Sequence, residues 1–388
     1  MVSGRRGLTR SAVLAALTVL PGCADAADRG DQSAELARWR LSAAPTLSIG
    51  GAEVAEEHII QEIRGIVRLP DGRLAVADGA QQRIRVYDAA GRHVTDWGRP
   101  GTGPGEYRWI GRLFPYRGDS LAVYDLLGRR LTVLDAAGNV GRIVPQSVRD
   151  APPPGTIPSE SCCNVVGAFA DGSFLVALPE SIPVDGTGTV YSTTDFVRLD
   201  AEGAAADTIA TVRASEYRLS GSTRSGLALL RLAPRLVYAA RRDGFVHGNG
   251  ETRTVTARDA AAGVPVDMDT GLSRRPVTDA IRAQTESWYR AAAGNRTGGT
   301  PDVAYPDSMA SFDWLVVDRE DRVWVRETLV PGDTVARYRV LTADGRPVAT
   351  IELPEGLWIQ WIDERGLLGV ERDAMDVAYV REYRIIRP

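Results

Sequence analysis

Histidine is the side chain that most often serves as an acid, a base or a metal ligand near neutral pH, and this chain contains three: His58, His93 and His247. A zinc site requires ligands of this kind to converge on one point. His93 opens a predicted outer strand and His247 lies in a predicted second strand, so we expect neither to meet His58. The sequence therefore does not predict a metal centre built from histidine.

The basic side chains exclude other chemistry. The chain contains no lysine, so all of its 46 basic residues are arginine. This excludes a Schiff-base lysine and the lysine of a phosphate-binding loop. The formal net charge is −4, and the charged residues are scattered along the chain without a basic patch. We therefore expect no nucleic-acid partner.

Two of the three cysteines are adjacent, Cys162 and Cys163, at the end of the proline-rich segment 145–163. In an oxidising compartment they could form a disulfide between neighbours, or they could remain two thiols in a loop. A catalytic cysteine requires an activating base, and no histidine is near them in the sequence. The sequence leaves the disulfide and the free thiols as open alternatives.

The N-terminus predicts export. A head with three arginines precedes the apolar run 12–20, which is followed by Pro21, Gly22 and Cys23. This order is typical of a secretory signal peptide. Residues 20–23 also resemble a bacterial lipobox, which implies cleavage before Cys23 and acylation of its thiol; an ordinary secretory signal cut elsewhere is the alternative. Removal of residues 1–22 would change the net charge from −4 to −7.

Any site in this chain must be positioned by a repeating unit. Residues 65–107 contain four short runs with alternating apolar residues, separated by turn signals. A shift of 47 residues places Asp78 on Asp125 and Arg83 on Arg130. A period in the forties that is built from short strands is typical of a β-propeller. Turns between first and second strands recur six times: Asp71-Gly72, Gly118-Asp119, Asp171-Gly172, Asp243-Gly244, Glu320-Asp321 and Arg365-Gly366.

The sequence therefore predicts an all-β fold, a six-bladed β-propeller of four-stranded antiparallel blades in residues 39–388. Residues 23–38 read as a polar tether. The last blade, 355–387, lacks a fourth strand, and residues 46–50 match the outer strand of the first blade. We predict that this N-terminal strand completes the last blade, which would close the ring and protect its sheet edges.

One helical insert interrupts the strands near residues 278–293. Thr278 is a suitable N-cap, and helical spacing places Ile281, Thr285, Trp288 and Ala292 on one face. Long loops on a rigid scaffold often carry function. We therefore expect the insert to act as a lid or a partner-contact element.

Two recurring pairs, Asp78 with Arg83 and Asp125 with Arg130, flank hairpin turns. They could contact a ligand, but their repetition favours cross-strand ion pairs that fix the register. The glycine-rich segment 101–107 is followed by a predicted strand rather than a helix, so it is not a phosphate cradle. We predict that it forms the crossing between two blades.

The repeat resembles the NHL type: "DG", a short strand, Asp, "RI", a strand, "DxxG", and then "WG…GxGPGEY". The chain as a whole resembles the NHL-like six-bladed propeller lipoproteins of bacterial envelopes. The resemblance implies the fold and a lipid-anchored position in the cell envelope, on the periplasmic or the outer-membrane face. It implies almost nothing about function.

Three functions remain open. We expect a binding module for an unknown small molecule or an envelope protein, attached to the membrane only through its lipid. Sugar lactonases of the gluconolactonase and regucalcin type are six-bladed and hold calcium through Glu, Asn and Asp at the channel mouth. In this chain Glu62, Glu106 and Asn164 lie near predicted strand starts and could bind calcium, although no lactonase motif matches. A scaffold for protein assembly, the third function, would present a contiguous apolar patch.

Overall fold

The chain folds into antiparallel sheets in a β-propeller arrangement, with one helix. Six of the sheets contain four or more strands, and one is a two-stranded ribbon. The structure is a computed structural model. It describes residues 36–51, 59–148, 153–159, 164–184, 187–219, 227–260, 263–293 and 304–388.

The first half of the described chain contains two N-terminal strands, the first three sheets and the ribbon. The N-terminal strands are β1 (Ala37–Leu41) and β2 (Leu47–Gly50). The first sheet contains β3 (Ile63–Arg68), β4 (Leu74–Asp78), β5 (Arg83–Tyr87) and β6 (His93–Trp97). The ribbon pairs β7 (Arg99–Pro100) with β8 (Glu106–Tyr107). The second sheet contains β9 (Ile110–Pro115), β10 (Leu121–Asp125), β11 (Arg130–Leu134) and β12 (Val140–Pro145). The third contains β13 (Thr156–Pro158), β14 (Asn164–Ala168), β15 (Phe174–Ala177), β16 (Ser181–Pro183), β17 (Gly188–Leu199), β18 (Ala205–Leu219) and β19 (Leu227–Leu229).

The second half contains the remaining three sheets and the helix. The fourth sheet contains β20 (Val237–Arg241), β21 (Gly244–Gly248), β22 (Thr254–Asp259) and β23 (Val266–Asp269). The helix α1 (Asp279–Ala293) follows it. The fifth sheet contains β24 (Phe312–Val317), β25 (Val323–Glu327), β26 (Val335–Leu341) and β27 (Pro347–Pro354). The sixth contains β28 (Trp358–Ile362), β29 (Leu367–Arg372), β30 (Ala378–Tyr383) and the N-terminal β2, and β31 (Ile385–Ile386) is the last strand.

The core consists of apolar layers between neighbouring sheets. In β4 every residue is buried, because alternate side chains pack against different neighbours. Leu74 and Val76 belong to a cluster with Val380 of the sixth sheet, whereas Ala75 packs in a cluster with Val123 of the second. Each later sheet shares a similar cluster with the next. The period-two pattern of the sequence thus sets which side chain faces which neighbour.

The predicted pairing of the two chain ends is confirmed. β2 is antiparallel to β30, with Leu47 opposite Glu382 and Ile49 opposite Val380. Ile49 is buried in the layer between the sixth and first sheets. Gly50 has φ +95°, and a Cβ there would lie 2.8 Å from the Ala378 carbonyl oxygen. Only glycine fits this approach without strain.

We expect Ile49→Ala to lower the free energy of unfolding by about 2 kcal/mol, because it removes buried apolar volume where the chain ends meet. Urea unfolding followed by tryptophan fluorescence measures the change. Ser48→Ala, on the exposed side of the same strand, is the matched control and should change stability by less than about 0.5 kcal/mol. Equal effects of the two substitutions would show that β2 is not held by its buried face.

The prediction of four strands in every blade is wrong for two sheets. The third sheet has seven strands, because β17 and β18 form a long hairpin of 12 and 15 residues. β17 also pairs with β16, which pairs with β13, and β18 also pairs with β19. The fifth sheet has six, because β1 runs parallel to β27 and then pairs with β31. β1 also contains residues 37–38, which the sequence assigned to the tether. These strands cover edges that would otherwise be exposed.

The helix is where the sequence predicted it, although its face differs. The Thr278 Oγ1 accepts a hydrogen bond from the Ile281 amide at 3.3 Å, as an N-cap does. Ile281 and Thr285 face the body of the protein. Trp288, which helical spacing placed on the same face, is 46% exposed, so that face is not buried along its whole length. The side chain of Ala292 lies outside the described residues. No helix in the described ranges has the length and apolar character needed to cross a membrane.

Candidate ligand-binding cavity

One edge strand from each of the six large sheets, here called its first strand, lines a central cavity of about 610 Å³. These strands are β3, β9, β14, β20, β24 and β28. A cavity of this volume is typical of sites for small organic molecules. Because each first strand comes from a different repeat, the side chains that face the cavity lie far apart in the sequence.

The most notable charge in the cavity is Arg112, the third residue of β9. Its side chain keeps partial accessibility because it faces the cavity, but its position inside the ring lowers the pKa of its guanidinium by burial. The only other contribution to that pKa is electrostatic, from Tyr238 on β20. Among the described residues Arg112 forms no ion pair. Since arginine remains protonated in proteins, the cavity holds an uncompensated positive charge.

More arginines line the end of the cavity where the first strands finish. Four of them lie at the end of β20 or in the turns after β9, β20 and β24: Arg117, Arg241, Arg242 and Arg319. The pKa of Arg319 is lowered by burial and by the nearby charge of Arg242. Although the whole chain has a net charge of −4, this end of the cavity has an excess of positive charge, which attracts anions.

Two aspartates at the same end do not neutralise these arginines. Asp318 is engaged by the Arg322 Nε at 2.7 Å and by the Trp324 Nε1 at 2.9 Å, both outside the cavity lining. Asp321 accepts a hydrogen bond of 3.3 Å from the backbone amide of Arg242. Asp318 is thus engaged within its own sheet. Asp321 is the other carboxylate among the described lining residues, which include four arginines at this end.

Aromatic side chains form much of the remaining wall. Tyr116 stacks on Phe174 at 5.3 Å and donates its hydroxyl hydrogen bond to the Gly172 carbonyl at 2.9 Å. Tyr238 packs edge-on against Phe196 at 5.3 Å. Rings held in this way offer rigid apolar area beside the arginines. The cavity therefore combines cationic groups with a surface suited to the carbon skeleton of a ligand.

Of the three predicted calcium ligands, only Asn164 lines the cavity. Glu62 pairs with Arg64. Glu106 accepts hydrogen bonds from the Gly103 amide at 2.9 Å and from the Arg99 Nη2 at 2.7 Å, and these lower the pKa of its carboxyl. The described part of the chain contains no group of three or more His, Cys, Asp or Glu residues that could hold a metal. Glu106 instead closes the glycine-rich crossing between the first two sheets.

The two repeated pairs differ. Arg130 lies 3.4 Å from Asp125, as predicted. In the first sheet the prediction is wrong: Asp78 pairs with Arg85 at 3.3 Å, and Arg83 pairs with Asp96 at 2.9 Å. The 47-residue shift explains this, because the positions of Arg85 and Asp96 are occupied in the second repeat by threonine and isoleucine. There no second arginine competes with Arg130 for Asp125, and the Nη atoms of Arg130 donate to the carbonyl oxygens of Thr102, Gly103 and Glu106 in the glycine-rich crossing.

Neither of the two described histidines is among the residues that line the cavity. His93 contacts Asp96 at 2.7 Å on β6. His247 is buried in the fourth sheet, where its Nε2 accepts a hydrogen bond of 2.9 Å from the Arg258 Nε. His58 and all three cysteines, including the predicted lipid site and the predicted disulfide at 162–163, lie outside the described residues.

His247 should make stability depend on pH. Burial, and then the charge of Arg258, lower its pKa from 6.5 to about 4. The unfolded chain therefore binds this proton first, so stability present above about pH 6.5 is lost as the pH falls towards 4. We expect this loss to reach about 3 kcal/mol. Urea unfolding between pH 7 and pH 4 tests it: His247→Gln should flatten the decline, and an identical decline in the variant would contradict the assignment.

The fold and the cavity define a β-propeller with an arginine-lined centre. No protein family model matches this chain, and no curated protein matches it. Among solved structures, a member of the DUF4221 family from Bacteroides vulgatus is 10% identical, with a TM-score of 0.49, covering 91% of this chain and 100% of that one. A streptogramin B lyase is 11% identical (TM-score 0.39; 90% and 98% covered), and a regucalcin from Agrobacterium tumefaciens, a calcium-binding protein, is 10% identical (TM-score 0.37; 88% and 97% covered). At these identities the likeness concerns the fold alone.

Proposed function

We propose that this protein binds a small organic anion in the central cavity, with Arg112 as the residue that receives the negative group. The observation that carries the proposal is the uncompensated guanidinium of Arg112, which lines the cavity without an ion-pair partner among the described residues. An isolated buried charge is unfavourable for folding. A ligand carboxylate would supply the missing counter-charge through two parallel hydrogen bonds.

The rest of the cavity favours an organic anion over an inorganic one. Its volume of about 610 Å³ far exceeds the space needed by a single carboxylate or phosphate group. Tyr116, Tyr238 and Trp314 provide aromatic surface, and the arginines at the cavity end attract anions from solution. We therefore expect an acid with an apolar or aromatic body.

The calcium-dependent lactonase is the weaker function on the same geometry. Asn164 is the one predicted ligand at the cavity, while Glu62 and Glu106 are paired with arginines. A hard cation requires several convergent oxygen ligands. Repulsion from Arg112 would also oppose a cation in the cavity.

We further propose that the six large sheets are the six blades of a single ring, and that acylated Cys23 holds this ring at a membrane of the cell envelope. The shared apolar layers and the pairing of β2 with β30 support the ring. The lipobox-like residues 20–23 support the anchor.

Replacement of the lipid-bearing residue tests the anchor. We expect wild-type protein to incorporate labelled palmitate and to sediment with membranes, and Cys23→Ala to incorporate none and to be released. Retention of the variant with the membranes, together with an unlabelled wild type, would contradict the anchor. It would leave the binding proposal unaffected.

Thermal unfolding in the presence of matched ligands tests the binding function. We expect 3-phenylpropionate to raise Tm and its neutral amide, 3-phenylpropionamide, to leave Tm unchanged. At a ligand concentration of 100 times Kd the added stability is about 2.7 kcal/mol. Equal shifts by acid and amide, or a shift caused by calcium and by neither organic probe, would overturn the proposal.

A further inference from the structure

A smaller cavity of about 70 Å³ adjoins the central one, in the third sheet. The two cavities share three lining residues: Asn164, Leu236 and Tyr238. The smaller cavity is also lined by Glu180 and Thr194, which the central cavity does not contact. A ligand in the central cavity therefore has a polar pocket beside it.

The carboxylate of Glu180 is fixed by three hydroxyl groups. It accepts hydrogen bonds from the Ser192 Oγ at 2.6 Å, the Ser215 Oγ at 2.8 Å and the Tyr217 hydroxyl at 3.2 Å. Ser192 and Ser215 are buried on the long hairpin of β17 and β18, so their hydroxyls have little freedom. The hairpin that was absent from the predicted four-stranded blade thus builds this site.

No arginine in the described ranges forms an ion pair with Glu180, although arginines pair with many other carboxylates of the protein. Its negative charge is therefore oriented by neutral donors, and it has no cationic partner in the described part of the chain. A carboxylate in this state is complementary to a group that carries both a positive charge and hydrogen-bond donors.

Thr194 gives independent evidence for a ligand group in the pocket. It is 2% exposed, it lines the pocket, and its Oγ1 has no hydrogen-bond partner among the described residues. Buried hydroxyls are normally paired, so an unpaired one requires an explanation. An ammonium group has three donors, which is enough for Glu180 and the Thr194 Oγ1 together.

Tyr238 connects this pocket with Arg112. It lines both cavities, and it lies near enough to Arg112 to influence the pKa of that guanidinium. Arg112 lines one of the two cavities that share this tyrosine, and Glu180 lines the other. This arrangement suits a molecule with an anionic and a cationic group a few bonds apart.

We propose that the ligand is a small zwitterion, an α-amino acid or a short peptide with an apolar side chain, whose ammonium group enters the pocket of Glu180 and Thr194. The inference rests on the proposed binding of an organic anion at Arg112. The carboxylate of the zwitterion occupies that position, and its side chain occupies the aromatic part of the central cavity.

Calorimetric titration of the folded chain from residue 36 onward with three probes tests the inference. The probes are L-phenylalanine, 3-phenylpropionate, which lacks the amino group, and 2-phenylethylamine, which lacks the carboxylate. We expect phenylalanine to bind at least about tenfold more tightly than 3-phenylpropionate, with 2-phenylethylamine the weakest. Gly-Phe, titrated in parallel, distinguishes a peptide ligand from a free amino acid.

Two substitutions test whether this pocket causes the tenfold difference in affinity between phenylalanine and 3-phenylpropionate. Glu180→Gln keeps the size of the side chain and should bring phenylalanine and 3-phenylpropionate to nearly equal affinity, leaving 3-phenylpropionate unchanged. Thr194→Val should weaken phenylalanine binding several-fold, again without affecting 3-phenylpropionate, and it covers the case in which Glu180→Gln does not fold.

The outcomes separate this inference from the proposed function. Equal wild-type affinities for phenylalanine and 3-phenylpropionate would overturn the zwitterion and leave the anion site intact. Persistence of the tenfold difference in both variants would also overturn the assignment to this pocket. Failure of both acids to bind would overturn the anion site, and the zwitterion with it.

Discussion

Arg112→Met is expected to make the protein more stable and to remove its affinity for organic acids. Methionine has a similar length but no charge. The substitution therefore removes the unfavourable free energy of burying a guanidinium without a counter-ion. We expect the free energy of unfolding to rise by about 1–4 kcal/mol. Affinity for 3-phenylpropionate should fall on the order of 100-fold, because a buried charge-assisted contact is lost. Urea unfolding and calorimetric titration measure the two effects.

A stability gain combined with a binding loss distinguishes a binding residue from a structural one. Arg92→Met is the matched control, because Arg92 is exposed and pairs only with Asp88 in a surface turn. It should change neither quantity appreciably. A destabilised Arg112→Met variant with unchanged affinity would show that the arginine serves the fold.

Arg85→Met should have the opposite effect on stability. Arg85 and Asp78 are both fully buried in the first sheet, with the Arg85 Nε 3.3 Å from the Asp78 carboxylate. Removal of the arginine leaves a buried carboxylate without its counter-charge. We expect a loss of about 3–5 kcal/mol in the free energy of unfolding, measured by urea titration at pH 7.

The neighbouring arginine supplies the control. Arg83 is the register partner of Asp78 but pairs with Asp96 nearer the surface. Arg83→Met should therefore cost no more than about 1 kcal/mol. If Arg83→Met were the more damaging substitution, the pairing expected from the sequence repeat would be correct and the buried pair described here would be wrong.

Local signals account for the parts of the fold that the sequence predicted. Turn residues and period-two alternation act within a few positions, so they locate the hairpins of the first two sheets. The match of residues 46–50 to an outer strand was enough to predict the pairing of β2 with β30. The Thr278 cap was equally local. These features do not depend on contacts between distant parts of the chain.

The features that the sequence did not predict depend on distant contacts. The partner of Asp78 depends on Arg85, which the first repeat has and the second lacks. Arg112 interrupts an otherwise apolar first strand, and this interruption was a signal for a site; the calcium hypothesis rested instead on polar residues near strand starts. Glu180, Ser192 and Ser215 meet only because of the long β17–β18 hairpin, for which the repeat gave no indication.

The position of a bound acid tests the account most directly. We predict that a crystal structure of the folded chain from residue 36 onward with 3-phenylpropionate will place the carboxylate oxygens within about 3 Å of the Arg112 guanidinium, with the phenyl ring against Tyr116 or Tyr238. Binding of the acid at another place, with the central cavity unchanged or occupied by a cation, would contradict the account.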